Sequence, residues 1–84
     1  MILQFEITDA IESRIDAADM RYGTFASSHE ALGVIMEEFD ELREAIRSND
    51  PVRIHDECLD MAAPLIRLAI SMRNSKETRN RSKK

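Results

Sequence analysis

Apolar residues recur at helical spacing in three stretches of the chain, and the first stretch predicts a short helix. Its apolar residues fall on one helical face: Ile7, Ile11, Ile15 and Ala18. Thr8 belongs to the residue types that cap the N-terminus of a helix. The pattern therefore predicts a helix from about Thr8 to about Met20, followed by a connector over residues 21–26.

A longer second helix is predicted from Ser27 to about Ser48. Ser27 and Glu30 have the spacing of a capping box, in which the hydroxyl and the carboxylate each satisfy a free backbone N–H group. The apolar residues that follow have the three-four spacing of a buried stripe: Leu32, Ile35, Met36, Phe39, Leu42 and Ile46.

The third helix is predicted to begin at Pro51 and to end near Arg73. Asp50 is a favourable N-cap, and proline suits the first helical position. Residues 58–72 contain only two charged side chains, so this helix is apolar almost all the way round. A helix that is apolar on every side is buried on every side. In a chain of three helices, we expect another copy to supply the extra covering surface.

The turn at residues 49–51 suits an antiparallel hairpin of the second and third helices. We therefore predict an all-α fold in which this hairpin and an N-terminal helix form an oligomeric four-helix-type bundle, as a homodimer or a dimer of dimers. Pro64 lies inside the third helix and cannot donate to the carbonyl of Asp60. It either bends the helix there or is tolerated without a role.

Charge divides the chain into an acidic helical domain, residues 1–73, and a basic tail, residues 74–84. The domain has fifteen acidic residues against seven arginines, a net charge of −8, and the tail has five basic residues against one glutamate, a net charge of +4. The tail has no apolar residue and is predicted to be flexible. An acidic body disfavours nucleic-acid binding. Without an apolar leader or spanning segment, the sequence predicts a cytoplasmic protein with no membrane contact.

Five carboxylates stand in two short motifs within the hairpin, Glu37-Glu38-x-x-Glu41 and Glu57-x-x-Asp60. Side chains three residues apart are neighbours on a helix surface, so each motif presents a pair of carboxylates to one side. Both pairs also lie at comparable distances from the turn. The hairpin is therefore expected to bring the two acidic pairs together.

Four carboxylates in one partly buried site would repel one another and would lose their hydration. A hard divalent cation is the simplest counter-charge for such a cluster. The alternative is a solvated acidic face without a ligand, which is the commoner meaning of Glu-Glu-x-x-Glu on a surface helix.

The two motifs resemble the signature of the MazG-like, all-α nucleotide pyrophosphohydrolases, a superfamily that includes dimeric dUTPases and phosphoribosyl-ATP pyrophosphohydrolase. The resemblance covers residues 27–73. It assigns Mg²⁺ binding to four carboxylates: Glu38, Glu41, Glu57 and Asp60. It places the catalytic acids at Glu37, Glu38 and Glu41, with Glu37 as an auxiliary ligand, a second-metal ligand or the group that orients water. Family members often have a fourth helix, for which little sequence follows Arg73.

The resemblance implies Mg²⁺-dependent hydrolysis of a (deoxy)nucleoside triphosphate to the monophosphate and pyrophosphate, with Mn²⁺ as an alternative cation and removal of modified nucleotides as a role. Arg53 lies one helical turn before Glu57, and Arg67 lies two turns after Asp60. Each arginine is predicted either to contact phosphate or to form an ion pair with the acidic cluster.

Two other functions remain open from the sequence. One is a non-catalytic helical module of the same fold that binds a nucleotide or a protein partner, and the other is a purely structural oligomerisation hairpin. Tyr22 and Phe25 are predicted to be core residues, with base stacking as the alternative. Cys58 is predicted to be a small core residue, because neither a second cysteine nor a basic neighbour marks it as reactive.

Overall fold

The computed structural model describes the backbone of residues 4–82 and the side chains of residues 4–75. Within these residues it contains three helices and no strand: α1, Phe5–Tyr22; α2, Ser28–Ser48; and α3, Pro51–Ser82. The predicted all-α class is therefore confirmed. The last two residues of the predicted tail, Lys83 and Lys84, lie outside the described residues.

Helix α1 begins earlier than the predicted start at Thr8. Gln4 occupies the N-cap position with an extended backbone. Thr8 lies inside the helix, where its hydroxyl donates to the carbonyl oxygen of Gln4 at 3.2 Å. The last helical residue is Tyr22, and the N–H of the C-cap residue Gly23 donates to the carbonyl oxygen of Asp19. Gly23 has a φ of 74°, a backbone conformation that glycine adopts without steric cost.

The predicted bounds of α2 are confirmed. The Ser27 hydroxyl accepts a hydrogen bond from the N–H of Glu30 at 3.2 Å, and a Glu30 carboxylate oxygen accepts one from the N–H of Ala26. The capping box thus forms with one difference from the expected pattern. The Glu30 carboxylate accepts from the N–H of Ala26 instead of the N–H of Ser27. After Ser48 the chain turns at Asn49, which has the left-handed backbone of a helix C-terminus, with φ 56°.

Helix α3 starts where predicted but runs beyond the predicted end at Arg73. The Asp50 carboxylate accepts hydrogen bonds from the N–H groups of Val52 and Arg53 and caps the helix. The helix continues to Ser82. Residues 65–82 contain no glycine or proline, and lysine, arginine and glutamate favour helix, so nothing stops propagation once the helix is established. The flexibility of the tail stays a prediction.

Helix α3 is the central element of the fold. Helix α2 packs along it across the two-residue turn, so the predicted hairpin forms, and α1 packs against α3 as well. In the described part of the chain, no Cα atom of α1 lies within 8 Å of a Cα atom of α2. A groove therefore separates α1 from α2, with α3 as its floor.

Among the residues whose side chains are described, the buried apolar ones are mostly small: Ala31, Ala45, Leu59, Ala63 and Pro64. Larger apolar side chains of α2 are half exposed, among them Leu32, Met36 and Phe39. Cys58 is also exposed, so its prediction as a core residue is wrong. Its neighbour Leu59 faces the packed side of α3, and one residue along a helix turns the next side chain by about 100°.

None of the helices in the described ranges combines the length and the apolar character that crossing a bilayer requires.

Candidate metal centre

Three of the predicted carboxylates meet between the two helices of the hairpin. Glu38 and Glu41 come from α2 and Glu57 comes from α3. One carboxylate oxygen of each lies within 4.8 Å of the others. The three-residue spacing on α2 and the short turn before α3 are the two features of the sequence that produce this arrangement.

Two oxygens of this cluster, Oε2 of Glu38 and Oε2 of Glu57, are buried and accept no hydrogen bond from a described donor. Each of these carboxyl groups can share a hydrogen bond with Glu41 only when one of the two carries a proton. A buried carboxylate oxygen without a partner is costly, because it has lost its hydration and gained nothing in return. A hard cation with oxygen ligands is the group that such a donor set fits. The orphaned oxygens of Glu38 and Glu57 are thus compatible with Mg²⁺ or Mn²⁺ as the missing partner.

The electrostatics of the cluster disfavour three negative charges. Burial, and then the charges of Glu41, Asp60 and Glu57, raise the pKa of Glu38 from 4.5 to about 7. Burial, followed by the charges of Glu41 and Asp60, also raises the pKa of Glu57, while the nearby charge of Arg53 lowers it. Without a cation, the cluster therefore favours a proton on Glu38 at pH values below about 7. Perturbed carboxylates beside a groove are typical of functional sites.

Asp60 is the fourth predicted ligand, and it is not among the three clustered carboxylates. It lies close enough to raise the pKa values of Glu38 and Glu57. Its Oδ1 accepts a hydrogen bond from Nε of Arg14 on α1 at 2.7 Å. The structure therefore places Asp60 beside the cluster but paired with a cationic side chain.

Arg14 is the residue of this site that the sequence reasoning missed. A signal was present, because Arg14 adjoins Ile11, Ile15 and Ala18 on the half-buried face of α1. A charged residue on an apolar face calls for a partner. That partner, Asp60, is 46 positions away in the sequence.

Arg67 is buried and serves a structural contact rather than the acidic cluster. Its Nε donates to Asp19 at 2.8 Å, its Nη2 donates to the carbonyl oxygen of Gly23, and its guanidinium lies 4.3 Å from the ring centroid of Phe25. The predicted ion pair of Arg67 with the acidic cluster is therefore wrong, because its guanidinium is held by Asp19 at the end of α1. The other predicted arginine, Arg53, is exposed.

A groove of about 710 Å³ adjoins the carboxylates and runs between α1 and α2. At one level it is lined by acidic side chains: Glu37, Glu38 and Asp60. Two helical turns further along α3, roughly 10 Å away, its walls carry two arginines and two aromatic rings together with one carboxylate: Arg21, Tyr22, Phe25, Arg67 and Glu30. Ala63 and Pro64 lie between the two regions and form the floor.

Three residues with predicted roles line this groove: Glu37, Tyr22 and Phe25. Glu37 is exposed and lines the wall next to Glu38, outside the cluster of three. Tyr22 is 71% exposed, so its prediction as a core residue is wrong. It lies in the last turn of α1, which packs on α3 alone, so no second helix covers its ring. Phe25 is half-buried under Arg67.

Fold and site together define an all-α hairpin protein with a carboxylate cluster that borders a groove through Glu38. Comparison of the chain with protein-family models, with curated proteins and with solved structures found no match. The chemistry of the site therefore carries the functional argument.

Proposed function

We propose that this protein is a Mg²⁺-dependent nucleotide pyrophosphohydrolase of the MazG-like type, acting on a nucleoside triphosphate. The observation that carries the proposal is the pair of orphaned buried oxygens on Glu38 and Glu57. Through Glu38, their cluster borders a groove large enough for a small ligand. Carboxylates and phosphate oxygens are the ligands that Mg²⁺ commonly shares in nucleotide sites.

In this proposal, Glu38, Glu41 and Glu57 hold the cation. When bound, Mg²⁺ supplies charge neutralisation at the phosphates and lowers the pKa of water. Glu37, exposed on the groove wall, orients the attacking water and accepts its proton. The water oxygen forms a bond to the α-phosphorus, and the bond from that phosphorus to the bridging oxygen breaks. Pyrophosphate leaves with the bridging oxygen.

The aromatic and cationic part of the groove takes the rest of the nucleotide. Tyr22 and Phe25 offer ring faces on which a base can stack, an interaction that tolerates any base. Arg21 lies 5.3 Å from the Tyr22 ring centroid and forms no ion pair with a described carboxylate. It is therefore available to a phosphate. The identity of the base and a role in removing modified nucleotides depend on the substrate panel below.

We propose further that the active form is a homodimer or a dimer of dimers. The support is the exposed apolar stripe of α2, with Leu32, Met36 and Phe39 each about half exposed. Side chains spaced three and four residues apart form a continuous helix face. A second copy would cover this face and enlarge the small core of the single chain.

Pyrophosphate release from a panel of common and modified nucleoside triphosphates, with and without Mg²⁺, tests the proposed activity. We expect release with Mg²⁺ and at least one nucleotide, and background release from Glu38→Gln and Glu57→Gln. Glu12→Gln on the exposed side of α1 serves as the matched control, and it should retain the wild-type rate. Absence of turnover with every nucleotide would rule out the enzymatic function.

One observation favours a second candidate, a non-catalytic module that binds nucleotide. Asp60 already has a partner in Arg14, so the four-carboxylate set that the resemblance implies is incomplete in the unliganded chain. Metal-dependent nucleotide binding without pyrophosphate release would support this candidate over the enzyme.

A further inference from the structure

The contact between Arg14 and Asp60 joins the groove wall on α1 to the edge of the carboxylate cluster. Nε of Arg14 lies 2.7 Å from Oδ1 of Asp60, and Nη1 of Arg14 donates to the carbonyl oxygen of Ala10 at 3.2 Å. Both Arg14 and Asp60 line the groove. The guanidinium group of Arg14 therefore lies where a ligand bound in the groove can reach it.

This ion pair differs from the second one that links α1 to α3. The Arg14 and Asp60 side chains are 32% and 39% exposed, whereas in the other pair the arginine, Arg67, is only 8% exposed although Asp19 is 49% exposed. Arg67 is further fixed by the carbonyl oxygen of Gly23 and by the ring of Phe25. A half-exposed ion pair contributes little free energy because water competes for both charges. The Arg14 pair is therefore the exchangeable one.

A polyphosphate in the groove offers Arg14 a better partner than one carboxylate oxygen. Guanidinium groups bind phosphate through two parallel N–H donors. Arg14 and Arg21 are seven residues apart on α1, two helical turns, and both line the groove. A triphosphate lying along α1 can therefore contact both.

Given the proposed function, on which this inference rests, we propose that Arg14 is an exchangeable counter-ion for Asp60. In the unliganded protein, Arg14 keeps Asp60 out of the cation site, and phosphate draws Arg14 away and releases Asp60 to complete that site. Arg14 is thus a positioning residue that couples nucleotide binding to cation binding. Such coupling is reciprocal, so the cation also strengthens nucleotide binding.

Calorimetric titration with Mn²⁺ alone tests the first half of this proposal, using the wild type, Arg14→Met, Asp60→Asn and the double variant. We expect Arg14→Met to bind Mn²⁺ about tenfold more tightly than the wild type, within the range of coupling between contacting groups. In the Asp60→Asn background, the same change should give a much smaller gain. Arg53→Met is the matched control, because it removes a positive charge that acts on Glu57 without releasing a carboxylate.

Each outcome of the titration decides between the proposals. A gain that persists undiminished in the Asp60→Asn background would reflect general electrostatics and would overturn the exchange. Equal affinities of wild type and Arg14→Met would also overturn it, while leaving the cation site of the proposed function intact. If no variant binds Mn²⁺, both the exchange and the proposed cation site fail.

Nuclear magnetic resonance of the arginine Nε–H groups tests the second half. The Arg14 signal is assigned by its loss in Arg14→Met, and Asp60→Asn gives its position without the carboxylate. Inorganic pyrophosphate added with Mg²⁺ should move the wild-type signal away from its paired position, while the Arg67 signal stays unchanged. An unchanged Arg14 signal at saturating pyrophosphate would overturn the release step.

Discussion

Replacing Glu38 by glutamine should stabilise the metal-free protein at alkaline pH, although the same change should abolish activity. Burial and three neighbouring carboxylates raise the pKa of Glu38 from 4.5 to about 7. The folded state therefore binds more protons than the unfolded state between these pH values. The stabilising contribution of the protonated group is complete below pH 4.5 and is lost as the pH rises through about 7.

The size of the effect follows from the shift in pKa. A shift from 4.5 to about 7 corresponds to about 3 kcal/mol if the site is fully shielded from water. Because Glu38 is only partly buried, solvent screens much of this repulsion, and we expect about 1 kcal/mol. Glutamine keeps the shape of the side chain and removes the charge. The gain should therefore appear at pH 8 and vanish at pH 4.5.

Urea denaturation followed by circular dichroism provides the assay, at one protein concentration and with a chelator present. Glu38→Gln is compared with the wild type and with Glu12→Gln, an exposed glutamate of α1 that should give no gain at either pH. With Mg²⁺ instead of chelator, the wild type should gain stability and Glu38→Gln should not. Equal or lower stability of Glu38→Gln at pH 8 in chelator would refute the repulsion argument.

Three further predictions concern packing, turn geometry and assembly. Arg67→Met should destabilise the fold by about 2 kcal/mol in urea denaturation, because it removes the ion pair of a buried arginine with the half-exposed Asp19 and a hydrogen bond to a carbonyl oxygen; an unchanged midpoint would contradict this structural role. Gly23→Ala should cost about 2 kcal/mol by the same assay, since φ 74° with ψ −166° is a backbone conformation essentially restricted to glycine; an unchanged midpoint would contradict this. Met36→Glu should shift the mass measured by light scattering toward the monomer, whereas Met20→Glu, at a more exposed methionine, should not; identical masses for both would exclude the α2 face as the interface.

Local signals in the sequence were sufficient for most of the helix boundaries. Ser27 and Asp50 are capping residues whose side chains bond to backbone N–H groups within three positions. Such interactions depend only on neighbouring residues, so they can be recognised without the fold. The predicted end of α3 near Arg73 is wrong. The residues that follow contain no apolar side chain to bury, but they still form helix as far as Ser82. The helix propensity of these residues, together with the absence of glycine and proline from residues 65–82, predicts the observed end better.

The candidate site could be predicted only in part. Glu38, Glu41 and Glu57 were predictable because helical spacing and a two-residue turn suffice to bring them together. The partners of Asp60 and Arg67 were not, because Arg14 and Asp19 come from α1, 46 and 48 positions away. Their pairing depends on how α1 packs against α3. No local pattern in the sequence specifies that packing.

The groove could not be predicted from the sequence either. It exists because α1 and α2 both pack on α3 while their Cα atoms stay more than 8 Å apart. Tyr22 and Phe25 line it, and an aromatic residue in a connector looks the same in sequence whether it faces a core or a groove. Base stacking, the alternative for these two residues, therefore stays a prediction that the substrate panel can address.

The central claim is that Glu38, Glu41 and Glu57 hold a divalent cation that supports hydrolysis of a nucleoside triphosphate. The most direct test is pyrophosphate release by wild type and Glu57→Gln, measured across the nucleotide panel as a function of Mg²⁺ concentration. We expect saturable, Mg²⁺-dependent release by the wild type with at least one nucleotide, and background release by Glu57→Gln. Release that is independent of Mg²⁺, or undiminished in Glu57→Gln, would contradict it.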